Sequence, residues 1–239
     1  MTQNLITQVK RYFIVIVLLI VGGLPAAALL TGFGPENFPG HKNYGTGVYF
    51  APNNIKIYED PDLNSSLKEI LNWNIARVQI NSATGEIEDP HQAFIAFYPY
   101  KGIAIMTVSD DIENWAEVIY DQKSDKRGWV YLKTEGLKTE YNPYVGNFYT
   151  WLQFMQTFAR KNLLYFISGV PKSMRTLRSA PQDNARPVNY DFSQVRSIEF
   201  KHIRGNWLLV RVRDLGQGSP IGWLRWRTDD GKLVMFCSF

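Results

Sequence analysis

Apolar and polar residues alternate over several stretches of this 239-residue chain, with the period of a β-strand, and two of these stretches share one pattern. The second copy consists of Asn206 to Asp214, a polar turn, and Gly222 to Trp226. The earlier copy consists of Asn114 to Asp121, a polar turn, and Gly128 to Leu132. Each copy begins with Asn-Trp, and its second run begins with Gly-Trp. Two β-runs around a short polar turn predict a β-hairpin in each copy.

The tryptophans that mark the two copies are 14 residues apart in the first copy and 16 apart in the second. A small β-unit has little interior, so a few large apolar side chains must close it. We therefore expect the two tryptophans of a copy to pair across their hairpin, with the glycine allowing close backbone approach. The residues assigned to this structural repeat are Trp115, Gly128, Trp129, Trp207, Gly222 and Trp223.

The pattern N-W-x-x-V followed by G-W-V/L resembles the second half of the bacterial SH3-like domain, a small β-barrel of cell-envelope proteins. The resemblance covers roughly residues 55–133 and 174–236. It implies a mainly β protein with two SH3-like barrels. The alternative is that two unrelated hairpins carry tryptophans by chance.

SH3-like repeats commonly open with a strand, a proline and a loop, and both halves of the chain contain such a stretch. In the first copy the predicted strand is Ile55–Tyr58, followed by a turn at Pro61–Asn64. In the second copy the counterpart is Met174–Leu177, followed by Pro181. The first copy also contains an insertion over residues 64–100 that the family pattern does not require.

The apolar period becomes helical between Phe148 and Ile167, which predicts an amphipathic helix of about five turns. Gly169 and Pro171 would end it. We expect this helix to join the two barrels and pack between them. A helix lying on a membrane surface is the alternative.

The N-terminal region contains 18 uncharged residues, Phe13 to Leu30, preceded by Lys10 and Arg11. This pattern predicts a membrane helix with the N-terminus inside and the remainder outside. The small residues Ala26 to Ala28 are typical of a signal-peptide cleavage site, so a secreted or periplasmic protein is the alternative. Residues 34–54 are interpreted as a linker that gives way to an edge segment at Val48–Phe50.

The predicted organisation has five parts. They are an anchor or signal peptide (1–33), a linker (34–54), a first barrel with its insertion (55–133), a connector with the helix (134–173) and a second barrel (174–239).

Charge divides the chain into two unlike halves. Residues 34–150 hold ten Lys and Arg against 16 Asp and Glu, whereas residues 151–239 hold 14 against six. The net charges are therefore −6 and +8. Either the two halves attract each other, or one of them faces a charged partner.

The residues available for catalysis are few and scattered. His41, His91 and His202 are far apart in sequence, and the single cysteine, Cys237, follows all of them. The Cys-then-His order of the cell-wall peptidases that often accompany SH3-like repeats is therefore not available. A buried thiol is the common role for such a cysteine. The acidic clusters, including Asp110-Asp111, are better explained as solvated turns than as calcium sites. We predict no enzyme, no catalytic residues, no metal and no cofactor.

The remaining candidate chemistry is a basic surface on the second hairpin. With strand alternation, Arg211 and Arg213 share a face, as do Arg225 and Arg227, and Trp226 lies between the second pair. These five residues are predicted to bind an anionic polymer, a carboxylate-bearing peptide or the acidic first barrel. An ordinary solvated strand face is the alternative.

The sequence therefore predicts an exported, non-enzymatic binding or scaffolding module of the cell envelope. Its predicted partners are cell-wall polymer or an envelope protein or peptide, and the membrane through the N-terminal helix. Nucleic acid is disfavoured because the predicted topology places the basic face outside the cytoplasm. A cell-wall hydrolase, or an accessory subunit of one, is the alternative.

Overall fold

The computed structural model describes residues 45–73, 78–80, 93–98, 101–132, 142–167, 169–214 and 218–239. The predicted anchor at 1–33 and the linker up to residue 44 lie outside the described residues. The described residues form a mainly β protein of antiparallel strands with one α-helix, which confirms the predicted fold class at that level.

The larger sheet has nine strands in the order β4-β3-β2-β8-β7-β6-β1-β9, and β5 also pairs with β6. Its strands are β1 Gly47–Phe50, β2 Asn54–Tyr58, β3 Leu67–Trp73, β4 Val78–Ile80, β5 Ala96–Tyr98, β6 Ile103–Ile112, β7 Trp115–Asp121, β8 Lys126–Tyr131 and β9 Phe148–Thr150.

The smaller sheet has five strands in the order β13-β12-β11-β10-β14. Its strands are β10 Leu164–Phe166, β11 Val195–Arg204, β12 Trp207–Asp214, β13 Ile221–Arg225 and β14 Met235–Cys237. The helices are α1 Trp151–Phe158 and the short 3-10 helices η1 Lys172–Arg175 and η2 Phe192–Gln194.

The two predicted hairpins are confirmed, and they share one register. Val118 lies opposite Gly128 in the first copy, as Val210 lies opposite Gly222 in the second. The preceding strands, β6 and β11, carry a bulge at the corresponding position, between residues 108 and 110 and between 200 and 202. The turn that follows each bulge has a positive φ at its corresponding residue, 48° at Glu113 and 54° at Gly205.

The loop that opens each copy is also the same in both. The amide of Glu59 donates to the Ser66 carbonyl at 2.9 Å, and that of Ser179 donates to the Arg186 carbonyl at 3.0 Å. Each residue of the second pair follows its counterpart in the first pair by 120 positions. The turn predicted at residues 61–64 is therefore present and has a counterpart at 181–184.

The two glycines of the repeat allow this loop to approach the hairpin. A Cβ on Gly128 would lie 2.4 Å from Ile57 Cγ2, and one on Gly222 would lie 2.6 Å from Leu177 Cγ. Both distances are too short for a real Cβ atom, so these positions need glycine for a steric reason.

Two further segments differ from their predictions. Val48 to Phe50 is not an edge segment, since β1 lies between β6 and β9 and all its residues are buried. Its side chains alternate between two cores, so both of its faces are covered. Met174 and Arg175 do not form a strand. They belong to η1, whose first turn is closed by the Met174 amide donating to the Pro171 carbonyl at 3.0 Å.

The helix α1 has eight residues, so the prediction of about five turns is wrong. Thr150 caps its N-terminus in a reciprocal pair of hydrogen bonds with Gln153. The amides of Lys161 and Asn162 both donate to the Phe158 carbonyl, which ends the helix. The apolar residues on either side belong to β9 and β10 instead, because those segments complete the two sheets.

The helix packs between the two sheets in a shared aromatic core. Phe158 stacks on Phe50 of β1 with ring centroids 5.1 Å apart, and Phe154 stacks on Phe236 of β14 at 5.0 Å. This buried cluster contains apolar residues of α1, of β1, β5 and β6 in the larger sheet, and of all five strands of the smaller sheet. A second buried cluster lies within the larger sheet alone.

Candidate functional site

The repeat tryptophans do not lie where the sequence places them. Trp115 is opposite Tyr131 and Trp207 is opposite Arg225, so the two tryptophans of a copy are diagonal neighbours rather than a direct pair. Trp115 and Trp207 are buried, but neither belongs to the two apolar cores. Alternation turns their neighbours Ala116 and Leu208 inward, so both tryptophans pack on the outer face of their hairpin.

The outer face of the first hairpin is aromatic. Trp115 packs edge-on against Tyr58 of β2 with ring centroids 5.5 Å apart, and lies 5.0 Å from the Tyr131 ring. Trp129 is paired with Tyr58 in register and is half-buried. We call these four residues the aromatic platform.

The outer face of the second hairpin is charged at the corresponding positions. Arg178 pairs with Trp223, which corresponds to the pairing of Tyr58 with Trp129 in the first copy. Arg225 lies opposite Trp207, which corresponds to Tyr131 opposite Trp115. Two arginines therefore replace the two tyrosines of the aromatic platform.

A cleft of about 320 Å³ opens beside these arginines. Such a volume is at the lower end of the range for small-molecule sites, which suits one amino-acid side chain or one sugar ring. We call it the charged cleft. Its lining residues are Ser173, Met174, Thr176, Arg178, Asp183, Trp207, Arg225, Thr228, Asp229 and Asp230.

Arg225 organises the charged cleft. Its Nη2 donates to Asp183 Oδ2 at 2.5 Å, its Nη1 donates to Asp229 Oδ1 at 2.9 Å, and its Cζ lies 4.8 Å from the centre of the Trp207 ring. Asn206 Nδ2 also donates to Asp229 Oδ1, at 3.0 Å. The guanidinium is therefore fixed in position by two carboxylates and one aromatic face.

Hydrogen bonds lower the pKa of two carboxyl groups of the cleft, Asp229 and Asp230. The hydrogen bond from Arg225 lowers the pKa of Asp229, with a further contribution from Asn206. A hydrogen bond from Thr228 and another from Lys232 lower the pKa of Asp230. The side chain of Arg225 is 11% exposed, whereas those of Asp183 and Asp229 are 68% and 80% exposed. The carboxylates thus face the solvent, while the cation between them is largely covered.

Only one of the five predicted ligand-binding residues, Arg225, lies in the charged cleft. Trp226 is in the shared core with 2% of its surface exposed, and its Nε1 donates to the Gly205 carbonyl at 2.9 Å. The prediction that Trp226 belongs to a ligand-binding face is wrong. Strand alternation continues through Leu224, Arg225 and Trp226, so Trp226 lies on the inward face with Leu224 and not on the outer face with Arg225.

The other three arginines lie elsewhere. Arg213 pairs through its Nε with Glu199 Oε1 on the neighbouring strand. Arg211 lies opposite Glu199 and Ile221 in register, away from the cleft. Arg227 Nε donates to the Gly231 carbonyl at 3.0 Å within the turn before β14. The structure therefore does not bring the predicted basic residues together in one site.

Sequence reasoning missed the acidic residues of the cleft. Asp183 belongs to the loop that opens the second copy, 42 residues before Arg225. The signal that could have found it is the loop's alignment with the first copy, which places Asp183 and Leu63 at corresponding positions 120 residues apart.

The two candidate catalytic residues that the structure describes, His202 and Cys237, are not together. Cys237 is fully buried, its Sγ lies 4.0 Å from Met155 Sδ, and burial raises its pKa. A thiol in this environment is not a nucleophile. His202 lies on the outer face, with its ring 6.3 Å from that of Trp223. His41 and His91 lie outside the described residues.

The acidic segments that are described act as turns or strand ends. Asp62 Oδ1 accepts the amide of Asn64 at 2.9 Å, which stabilises the turn after β2. Within the described ranges, no three His, Cys, Asp or Glu side chains are grouped as metal ligands would be. A search of these same ranges for an apolar helix of membrane-spanning length finds none.

The comparisons with known proteins give no relative to set beside this geometry. No family model, no curated protein and no solved structure matches the chain.

Proposed function

We propose that this protein is an exported, non-enzymatic binding module of the cell envelope, built on two SH3-like units, whose ligand binds in the charged cleft. The shared register, bulge and opening loop of the two copies support the repeat. The uncharged segment Phe13–Leu30 supports export. The observation that carries the binding site is Arg225, fixed by Asp183 and Asp229 over Trp207 at the entrance to an open cleft.

The charges of the cleft favour a ligand that carries an ammonium group. Three carboxylates, of Asp183, Asp229 and Asp230, line the cleft with two guanidinium groups, those of Arg178 and Arg225. Arg225 is already bound by two of these carboxylates, so an anionic ligand would have to displace them. A cation meets exposed carboxylate oxygens at no such cost.

The apolar and aromatic lining completes the chemistry of the ligand. Met174 and Trp207 supply a surface for an aliphatic chain or a ring face. A free amine on an aliphatic stem, next to a peptide or a sugar, fits this combination. Peptidoglycan peptides and their crosslinks carry such groups, as do the lysine side chains of envelope proteins. We therefore place cell-wall peptide first among the ligands.

The hydrogen bonds of the threonine hydroxyls in the cleft favour binding of the ligand without its hydrolysis. Thr176 Oγ1 donates to the Ser173 carbonyl at 3.1 Å, and Thr228 Oγ1 donates to the Lys232 carbonyl at 3.1 Å. Both hydroxyls are thus occupied by backbone groups. Among the described residues that line the cleft, none is a histidine that could activate Ser173 as a nucleophile.

The test is co-sedimentation of the full-length chain, kept in non-ionic detergent, with purified peptidoglycan sacculi. Asp183→Asn combined with Asp229→Asn removes both exposed charges with little change in shape, and we expect affinity to fall about ten-fold or more. Asp191→Asn is the matched control, because this acid is in the same half but outside the cleft, and Asn also caps a helix.

Chemical acetylation of the sacculus amines provides a second arm, because it removes the positive charge from the ligand. Binding that survives acetylation and the double substitution would contradict the cleft as an ammonium site. Release of soluble muropeptides during the incubation would show a hydrolase instead.

A further inference from the structure

The opposite charges of the two halves are not paired with each other within the described structure. The ion pairs between described residues lie within one half, for example Arg127 with Glu117 and Lys232 with Asp230. The halves meet instead through the aromatic core around α1. The interpretation that the halves attract each other by charge therefore has no support in the ion pairs between described residues.

Three acidic residues of the first half lie together at the turn between β6 and β7. Asp110, Asp111 and Glu113 are exposed at the β6–β7 turn and form no ion pair with a described residue. Ile112 lies among them with 52% of its surface exposed. We call residues 110–113 the acidic tip. Ile112 lies opposite Trp115 in register, next to carboxylates at positions 110, 111 and 113, so the turn offers one apolar contact with acidic residues beside it.

The second half carries the opposite surface around another exposed isoleucine. Ile221, which is 49% exposed, lies opposite Arg211 on the outer face of β12 and β13. Arg204 and Arg211 form no ion pair with a described residue, whereas Lys201 and Arg213 share the carboxylate of Glu199. We call Lys201, Arg204, Arg211, Arg213 and Ile221 the arginine face. Four cations and one carboxylate leave three positive charges, against three negative charges on the acidic tip.

We propose that the protein associates with a second copy of itself, the acidic tip of one copy binding the arginine face of the other. Burial of Ile112 against Ile221 would supply the apolar contact, and the carboxylates of the tip would pair with Arg204 and Arg211 at its rim. Such a contact is heterologous, since two different surfaces meet. It is also small, so a dissociation constant on the order of micromolar is expected at low salt. It involves neither Asp183, Arg225 nor Asp229, so its failure leaves the proposed ligand site unaffected.

Sedimentation velocity of the full-length chain in density-matched non-ionic detergent tests the association. We expect self-association at about 0.05 M salt that weakens at least ten-fold by about 0.5 M, because added salt screens exposed charges. A chain that remains monomeric under all these conditions would overturn the proposal.

Charge reversal identifies the surfaces. A tip variant, Asp111→Lys with Glu113→Lys, and a face variant, Arg204→Glu with Arg211→Glu, should each be monomeric alone. Mixed together they should associate again, because the reversed tip of one matches the reversed face of the other. Glu59→Lys with Asp60→Lys is the control for the tip variant, since it makes the same change in net charge at the turn after β2. Lys161→Glu with Arg186→Glu is the corresponding control for the face variant.

A loss of association in the control variants as large as in the tip and face variants would show a general effect of net charge and refute these surfaces. Carbodiimide crosslinking of mixed ¹⁴N and ¹⁵N chains gives an independent measurement. The expected product is an isopeptide bond between Asp111 or Glu113 of one isotope and Lys201 of the other, formed with loss of water. If Lys201 were crosslinked only to residues that carry the same isotope label, and never to a chain with the other label, the contact between copies would be contradicted.

Discussion

In the first copy of the hairpin, Trp115 packs against Tyr58 and Tyr131, whereas in the second copy Trp207 packs beneath Arg225. The backbones around these tryptophans have the same register, the same bulge and the same opening loop. The glycines and apolar residues that determine the backbone are therefore shared by the two copies, whereas the outward-facing residues differ. One hairpin carries an aromatic platform and the other a charged cleft, although their strands pair in the same register.

The largest expected effect is a loss of stability that tests whether the two copies unfold as one cooperative unit. Phe154→Ala removes the ring that contacts Phe50, Phe158 and Phe236, so the free energy of unfolding should fall by about 3–5 kcal/mol. Because this core joins both sheets, chemical denaturation should show one transition at lower denaturant. Leu152→Ala on the exposed side of the same helix is the control and should cost much less. Two separate transitions, with only one of them shifted, would show that the copies are independent.

The next effect compares the two glycines. Gly128→Ala and Gly222→Ala each force a Cβ against the opening loop, at Ile57 and Leu177, so each should cost about 1–3 kcal/mol. Thermal or chemical unfolding measures both. Lys126→Ala, at the exposed start of β8, controls for a change in the same hairpin. A cost at one glycine and not at the other would break the correspondence between the copies.

A graft sharpens the comparison on the outer face. Tyr131→Arg with Leu63→Asp should transfer the Arg225–Asp183 pair of the second copy to the first. A double-mutant cycle is expected to show a favourable coupling of about 0.2–1 kcal/mol, as is usual for a pair with one exposed partner. Tyr131→Arg with Glu59→Asp provides a control with the same arginine and no new charge. A coupling of zero would mean that the two loops do not superpose closely enough at this position.

The smallest effect is a titration in the charged cleft. The pKa of Asp229 is lowered because Arg225 donates a hydrogen bond to its charged form. Arg225→Gln should therefore raise that pKa, as ¹³C NMR of the carboxyl carbon would show. Because the pKa of Asp229 is lower in the folded state, its ionisation stabilises the fold at a pH above the unfolded-state pKa of about 4. This contribution is lost as the pH falls through the folded-state pKa. Affinity for an amine should weaken over the same acidic range. An unchanged pKa in the variant would contradict the role given to Arg225.

The strand pattern predicted the local framework well because alternation and turn chemistry act over a few residues. The two hairpins, β2 and the turn after it all follow from that pattern. The length of α1 did not, because Phe148 and Leu164 have helical spacing but pair with distant strands, β1 and β14.

The site was less predictable than the framework. Alternation places Arg225 on the outer face, and the same alternation places Trp226 on the inward face with Leu224, so the grouping of Trp226 with the arginines did not follow the strand period. The partner of Arg225 at Asp183 comes from a loop 42 residues earlier, and strand periodicity carries no information about such a distance. The net charge of each half likewise does not show which arginines form an ion pair with a carboxylate of the same half.

The contact of Phe50 with Phe239, whose ring centroids are 6.0 Å apart, has a consequence for how the chain acquires its structure. These residues are 189 positions apart in sequence, so β1 cannot complete its environment until Phe239 has been synthesised. Contacts of such long range require a large loss of chain entropy before they stabilise anything, and they slow folding. The packing of β1 is therefore expected to follow the synthesis of Phe239 rather than to accompany the synthesis of β1 itself.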